Sequence, residues 1–182
     1  MKKEILESCC DRSAPSRRAV LSGVMGAAGL MWANRASASG HAEVLLLTCM
    51  DYRLMNEIEA YMTSRGLRDD YDHLIVAGAS IGVNRKPEWA AVFWEHLDLA
   101  IKLHSERKVL VLDHVDCGAY KLLLGEAAVA TPELAMEAHT KELNELYAQL
   151  RERHPELEVE LGVMDLAGVV LMVEPSTPPR LT

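Results

Sequence analysis

Three short apolar runs, at 44–48 (VLLLT), 73–77 (HLIVA) and 108–112 (KVLVL), each give way to a polar or glycine-bearing loop and then to a helical pattern. Runs with so little polar alternation belong to strands covered on both faces, and parallel strands need helical crossovers between them. The chain is therefore expected to be α/β, with a mostly parallel central sheet flanked by helices. Leu54, Ile58, Tyr61 and Met62 recur at helical spacing before Gly66. Pro87 suits a first helical turn, and Trp89, Val92, Phe93, Leu97, Ala100, Ile101 and His104 line one side of the segment it opens. A further helix opens near 119–124. Another starts at Thr131-Pro132-Glu133, with Thr as cap, and runs to about Arg153. Residues 159–165 alternate like a half-exposed strand and pair with 169–173 as a hairpin around Ala167-Gly168. Gly78-Ala79-Ser80-Ile81-Gly82 reads as a loop allowing close backbone approach. It lacks the pattern and lysine of a phosphate cradle.

Of the 182 residues, 27 are acidic and 19 basic, giving a net charge of −8, which argues against a nucleic-acid binder. The first 38 residues read as an address. Ser16-Arg17-Arg18-Ala19-Val20-Leu21 precedes an apolar stretch, then Arg35 and Ala36-Ser37-Ala38. This order matches a twin-arginine-type signal peptide, its apolar part falling short of a membrane span, with a buried N-terminal helix or an uncleaved anchor as the alternative. The expected product is an exported, periplasmic domain spanning 39–182, with no membrane anchor in its mature form. Cys9 and Cys10 leave with the signal, so Cys49 and Cys117 are the two cysteines that remain.

Both stand just beyond apolar runs, in Cys49-Met50-Asp51-Tyr52-Arg53 and His114-Val115-Asp116-Cys117-Gly118. Two thiolates and an imidazole make a three-ligand zinc set with one position open. The same cysteines in an exported protein also suit a disulfide, and His114 a loop histidine. Asp51 and Arg53, one residue apart, reach the same side if the chain is extended, and an ion pair between them would hold the carboxylate ionised and off the metal. Asp116 is read as facing solvent, with proton transfer or a supporting hydrogen bond as alternatives. His96, His104 and His139 are read as amphipathic or surface histidines.

Cys49-x-Asp51-x-Arg53, then Val76-Ala77-Gly78, then His114-x-x-Cys117-Gly118-Ala119 after an apolar strand resembles the β-class carbonic anhydrases over roughly residues 43–175. The resemblance implies a three-layer αβα fold. It implies one zinc ion per chain on Cys49, His114 and Cys117, with Asp51 and Arg53 as the catalytic dyad. The implied reaction is attack of zinc-bound hydroxide on CO2 to give bicarbonate, in a homodimer or higher homo-oligomer. Departures from the family pattern are Ile75-Val76 in place of Arg-Asn, and Tyr52 where Ser is common. They keep two alternatives open: a COS or CS2 hydrolase on the same scaffold, and a noncatalytic zinc-binding member.

Overall fold

The computed structural model describes residues 40–176; the predicted signal at 1–38 and the end of the tail lie outside the described residues. Five strands form one sheet: β1 (Val44–Thr48), β2 (Tyr71–Ile75), β3 (Lys108–His114), β4 (Glu158–Met164) and β5 (Val170–Val173). Their spatial order is β2-β1-β3-β4-β5. The first four are mutually parallel and β5 returns antiparallel to β4, so the expected hairpin is present at one edge. The sheet is the mostly parallel α/β sheet anticipated. One element differs in place: the second strand occupies 71–75, not 73–77. As an edge strand it is only partly buried, so its apolar pattern marks it less sharply than that of β1, where every residue is buried.

Alternate residues of the central strands feed two cores. Leu45, Leu47, Val109, Val111, Leu161 and Val163 point to one face, where they meet α3 (Pro87–His104) through Phe93 and Leu97 and α5 (Pro132–Arg153) through Leu143, Leu146 and Leu150. Val44, Leu46, Leu110 and Leu112 point to the other, where α1 (Met55–Ser64) covers them with Ile58 and Met62. Pro87 opens α3, and the Thr131 hydroxyl caps α5 by accepting from the Leu134 amide at 3.3 Å. Together with α4 (Gly118–Leu124), these helices realise the expected pattern.

The segment read as a glycine loop contains a short helix, α2 (Ser80–Arg85). Six residues are too few to display a helical period. The helix begins directly after two positive-φ residues, Gly78 (80°) and Ala79 (44°). Gly82 within it lies under the preceding turn: a Cβ there would stand 2.2 Å from the Ala77 carbonyl oxygen. Replacing Gly82 by Ala should therefore destabilise the fold by about 1–3 kcal/mol, read as a lowered Tm in thermal melts.

At the amino ends of the strands, Glu106 is 3 % exposed. Burial, with the Asp72 carboxylate adding to it, pushes its pKa up to about 8 from an ordinary 4.5. The folded chain thus keeps a proton that the unfolded chain releases, and stability falls as pH rises between those two values. In metal-free buffer, Tm of the wild type should drop relative to Glu106→Gln between about pH 5 and pH 8, with the difference levelling above that range.

Candidate metal centre and active site

Parallel pairing sets Thr48 opposite Leu112, so the chain leaves β1 and β3 at the same end of the sheet. Cys49 follows β1 at once, His114 is the last residue of β3, and Cys117 directly precedes α4. The donor atoms of Cys49, His114 and Cys117 all lie within 4.8 Å of one another, and all three residues are buried. A third small core of Ile81, Tyr120 and the two cysteines closes around them.

The cysteines are free thiols with sulphurs 3.9 Å apart, not the disulfide that the sequence left open. Two thiolates bound tetrahedrally at about 2.3 Å to one zinc ion would stand about 3.8 Å apart. The His114 Nδ1–H donates to the Val115 carbonyl at 2.8 Å, which leaves Nε2 to act as ligand. That Nε2 is buried and has no hydrogen-bond partner. A buried nitrogen is seldom left so unless something unseen fills its place. The donor set fits zinc in number, type and spacing.

Electrostatics favour a cation here. The Cys117 thiol donates toward Cys49 and lowers its pKa against the opposing effect of burial, with His114 and the Gly78 amide also stabilising the thiolate. The Gly78 N–H lies 3.2 Å from the Cys49 sulphur. The close approach expected of this glycine is real, because a Cβ at Gly78 would come within 2.7 Å of Ile81 Cγ2 and 2.8 Å of Ala119 Cβ. The Cys49 sulphur in turn pushes the Cys117 thiol well up. Burial works against a charge on His114, yet Cys49, the Val115 carbonyl and Asp51 more than offset it and raise its pKa.

Asp51 and Arg53 meet, although the chain between them is not extended. Asp51 caps a 3₁₀ turn over Tyr52–Leu54 and accepts from the Arg53 backbone amide at 3.0 Å. Its two oxygens also take Arg53 Nε at 2.9 Å and Nη2 at 2.7 Å, a bidentate pair. The Arg53 guanidinium holds the Asp51 pKa down at about 2. Asp51 Oδ2 stands 3.8 Å from His114 Nε2, beside the donor cluster.

Asp116 does not merely face solvent. Half exposed, it accepts from Arg53 Nη1 at 3.0 Å and from Lys121, and its backbone carbonyl takes Arg53 Nη2 at 3.3 Å. Lys121, then Arg53, hold its pKa below the usual range. His139 is likewise not a surface residue. It is 1 % exposed and donates from Nδ1 to Asp113 Oδ2 at 3.0 Å. That same oxygen accepts from Tyr120 at 2.5 Å and from the Ser80 hydroxyl at 2.6 Å, and Asp113 Oδ1 accepts from the Ser80 amide at 3.0 Å. This network ties α2, β3, α4 and α5 together directly behind His114 and was missed from the sequence. Its one signal was a carboxylate closing the apolar run before His114. Of the altered residues, Tyr52 is 86 % exposed, Ile75 is exposed to a lesser degree and Val76 is buried.

Among solved structures, the β-carbonic anhydrase CafA of Aspergillus fumigatus shares the fold, with a TM-score of 0.57 at 16 % identity over 88 % of both chains. A tetrameric β-carbonic anhydrase of Sordaria macrospora does so with a TM-score of 0.51 at 13 % identity, over 88 % of this chain and 95 % of its own. In sequence, an uncharacterized protein of Rickettsia bellii (strain RML369-C) is 37 % identical over 131 residues, 71 % of this chain and 80 % of its own. A sequence model described as "Putative carbonic anhydrase" matches residues 39–164, from just before β1 to the end of β4 and across every residue of the centre, and the chain belongs to that family.

Proposed function

We propose that this chain is a zinc-dependent carbonic anhydrase that interconverts CO2 and bicarbonate, with one zinc ion per chain on Cys49, His114 and Cys117. The observation that carries the reading is the cluster of His114 with two free thiols, donor atoms within 4.8 Å of one another, in which the buried His114 Nε2 has no hydrogen-bond partner. Zinc in such a donor set supplies a nucleophile near neutral pH by lowering the pKa of a water molecule. The chain's own part is to orient and to exclude. Arg53 keeps Asp51 ionised at any working pH and fixes its direction, so that Oδ2 can accept a hydrogen bond beside the donor cluster. Without Arg53, the same carboxylate is free to turn onto the cluster and occupy its open position. Buried Ile81 and Tyr120 keep bulk water from behind the cysteines.

The apolar pair Ile75-Val76, paired with Thr48 and so next to Cys49 along the sheet, favours a second reading, hydrolysis of COS or CS2, since apolar residues there suit uncharged linear substrates as well as CO2. The assembled Asp51–Arg53 pair supports either enzyme over a noncatalytic zinc protein. Export to the periplasm by the twin-arginine-type signal and assembly into a homo-oligomer belong to the same proposal. The tetrameric Sordaria relatives in fold support the latter.

Elemental analysis of the purified protein should find about one zinc per chain, and Cys117→Ser should lose it. In stopped-flow assays, CO2 hydration should rise with pH through about 7. Arg53→Ala should keep its zinc but lower kcat/KM by roughly 10²–10³-fold. A zinc-loaded protein inert toward CO2 yet active on COS or CS2 would select the second reading, and one inert toward all three gases would leave a noncatalytic member.

A further inference from the structure

A second cluster lies at the opposite end of the sheet from the cysteines, at the amino ends of the strands. Asp72 is the second residue of β2, His104 ends α3, and Glu106 sits in the turn that enters β3. Ser105, in a left-handed conformation (φ 62°), turns the chain between the last two. One donor atom from each of the three lies within 4.8 Å of the other two. His104 is held in place by its backbone, whose carbonyl accepts from the Ala42 amide at 3.3 Å and the His41 ring at 3.1 Å. Its Nδ1 faces Asp72 Oδ2 at 2.5 Å.

Glu106 is the anomaly. It is 97 % buried by surface, and neither carboxylate oxygen has a hydrogen-bond partner. No ion pair among the described residues reaches it; nearby Lys108 is engaged by Glu43, Glu158 and Glu160. Buried carboxylates are retained where they are paired, protonated or bound to a metal. Its neighbour Asp72 is another carboxylate, so the pair holds together only with a retained proton or with a cation.

We propose that Asp72, His104 and Glu106 form a second metal site, binding a divalent transition-metal ion of the Mn²⁺ or Zn²⁺ kind. Two carboxylates balance the charge of such an ion, and the orphaned Glu106 oxygens gain the partner they lack. The imidazole nitrogen disfavours Mg²⁺ and Ca²⁺, which prefer all-oxygen sites, and the absence of sulphur separates this site chemically from the cysteine centre. Asp72 and His104 are partly exposed, giving the ion a path in and room for water to complete its coordination. The bound ion would tie the edge strand β2 to the end of α3 and the start of β3. It would act as a structural clamp remote from the chemistry.

Mn²⁺ is the discriminating probe, since thiolates hold it poorly. The full chain, stripped with chelator, is titrated with Mn²⁺ while the signal of free Mn²⁺ is followed by electron paramagnetic resonance, and Tm is recorded with and without the ion. The expected result is one Mn²⁺ per chain together with a raised Tm. Glu106→Gln should weaken binding by about tenfold or more and abolish the rise in Tm. His104→Gln, at a more exposed position, should also weaken binding, with folding of both variants checked by circular dichroism, while Cys117→Ser should retain it. No binding up to about 1 mM Mn²⁺, or equal binding by Glu106→Gln, would overturn the proposal and leave Glu106 a buried protonated acid.

Discussion

The parallel pairing of β1 with β3 is the constraint on which the rest of the molecule depends. Because Val44 stands opposite Lys108 and Thr48 opposite Leu112, both chains travel the same way, and β3 runs two residues farther than the paired segment. The loops bearing Cys49 and Cys117 therefore emerge together, and His114 ends its strand between them. A slip of one residue would send the leucines of β1 to the wrong faces of the sheet and part the two sulphurs. Burial of those leucines on two separate cores thus fixes the Cys49–His114–Cys117 cluster without any of them belonging to it.

Behind the Cys49–His114–Cys117 cluster the burden passes from apolar packing to hydrogen bonds. Asp113 is buried at 1 % exposure and accepts from four donors on three residues, Ser80, Tyr120 and His139. A carboxylate so placed is tolerable only when fully satisfied, which demands that α2, α4 and α5 arrive together. The network therefore also fixes the orientation of the residue after it, His114. Gly78 and Gly82 serve the same end by admitting backbone where a side chain would collide.

The fold was legible because three apolar runs and the Thr131-Pro132 helix start are strong local signals, and the hairpin of β4 and β5 followed from alternation. The positions of Cys49, Asp51, Arg53, His114 and Cys117 at strand ends were legible for the same reason. What escaped depends on distant partners. The α2 helix is shorter than two turns. His139 looks amphipathic in its own helix and is buried only because Asp113, 26 residues away, meets it. Asp116 looks solvated until Arg53, 63 residues away, is seen to reach it. Glu106 carries no local mark of burial at all, since only the fold encloses it.

Arg53 is shared between two carboxylates that belong to different strand ends, Asp51 after β1 and Asp116 after β3. It can give up one without returning to bulk water, because the other still holds it. Detaching Asp51 then costs less than rupturing an isolated pair, and the Arg53 side chain need not be gathered again from a disordered set of rotamers for the contact to reform. The carboxylate beside the cysteine–histidine cluster is thus coupled to a half-exposed aspartate on another loop. Whatever reaches Asp116 from the solvent side, including added salt, is transmitted through a single guanidinium to the innermost acid of the site.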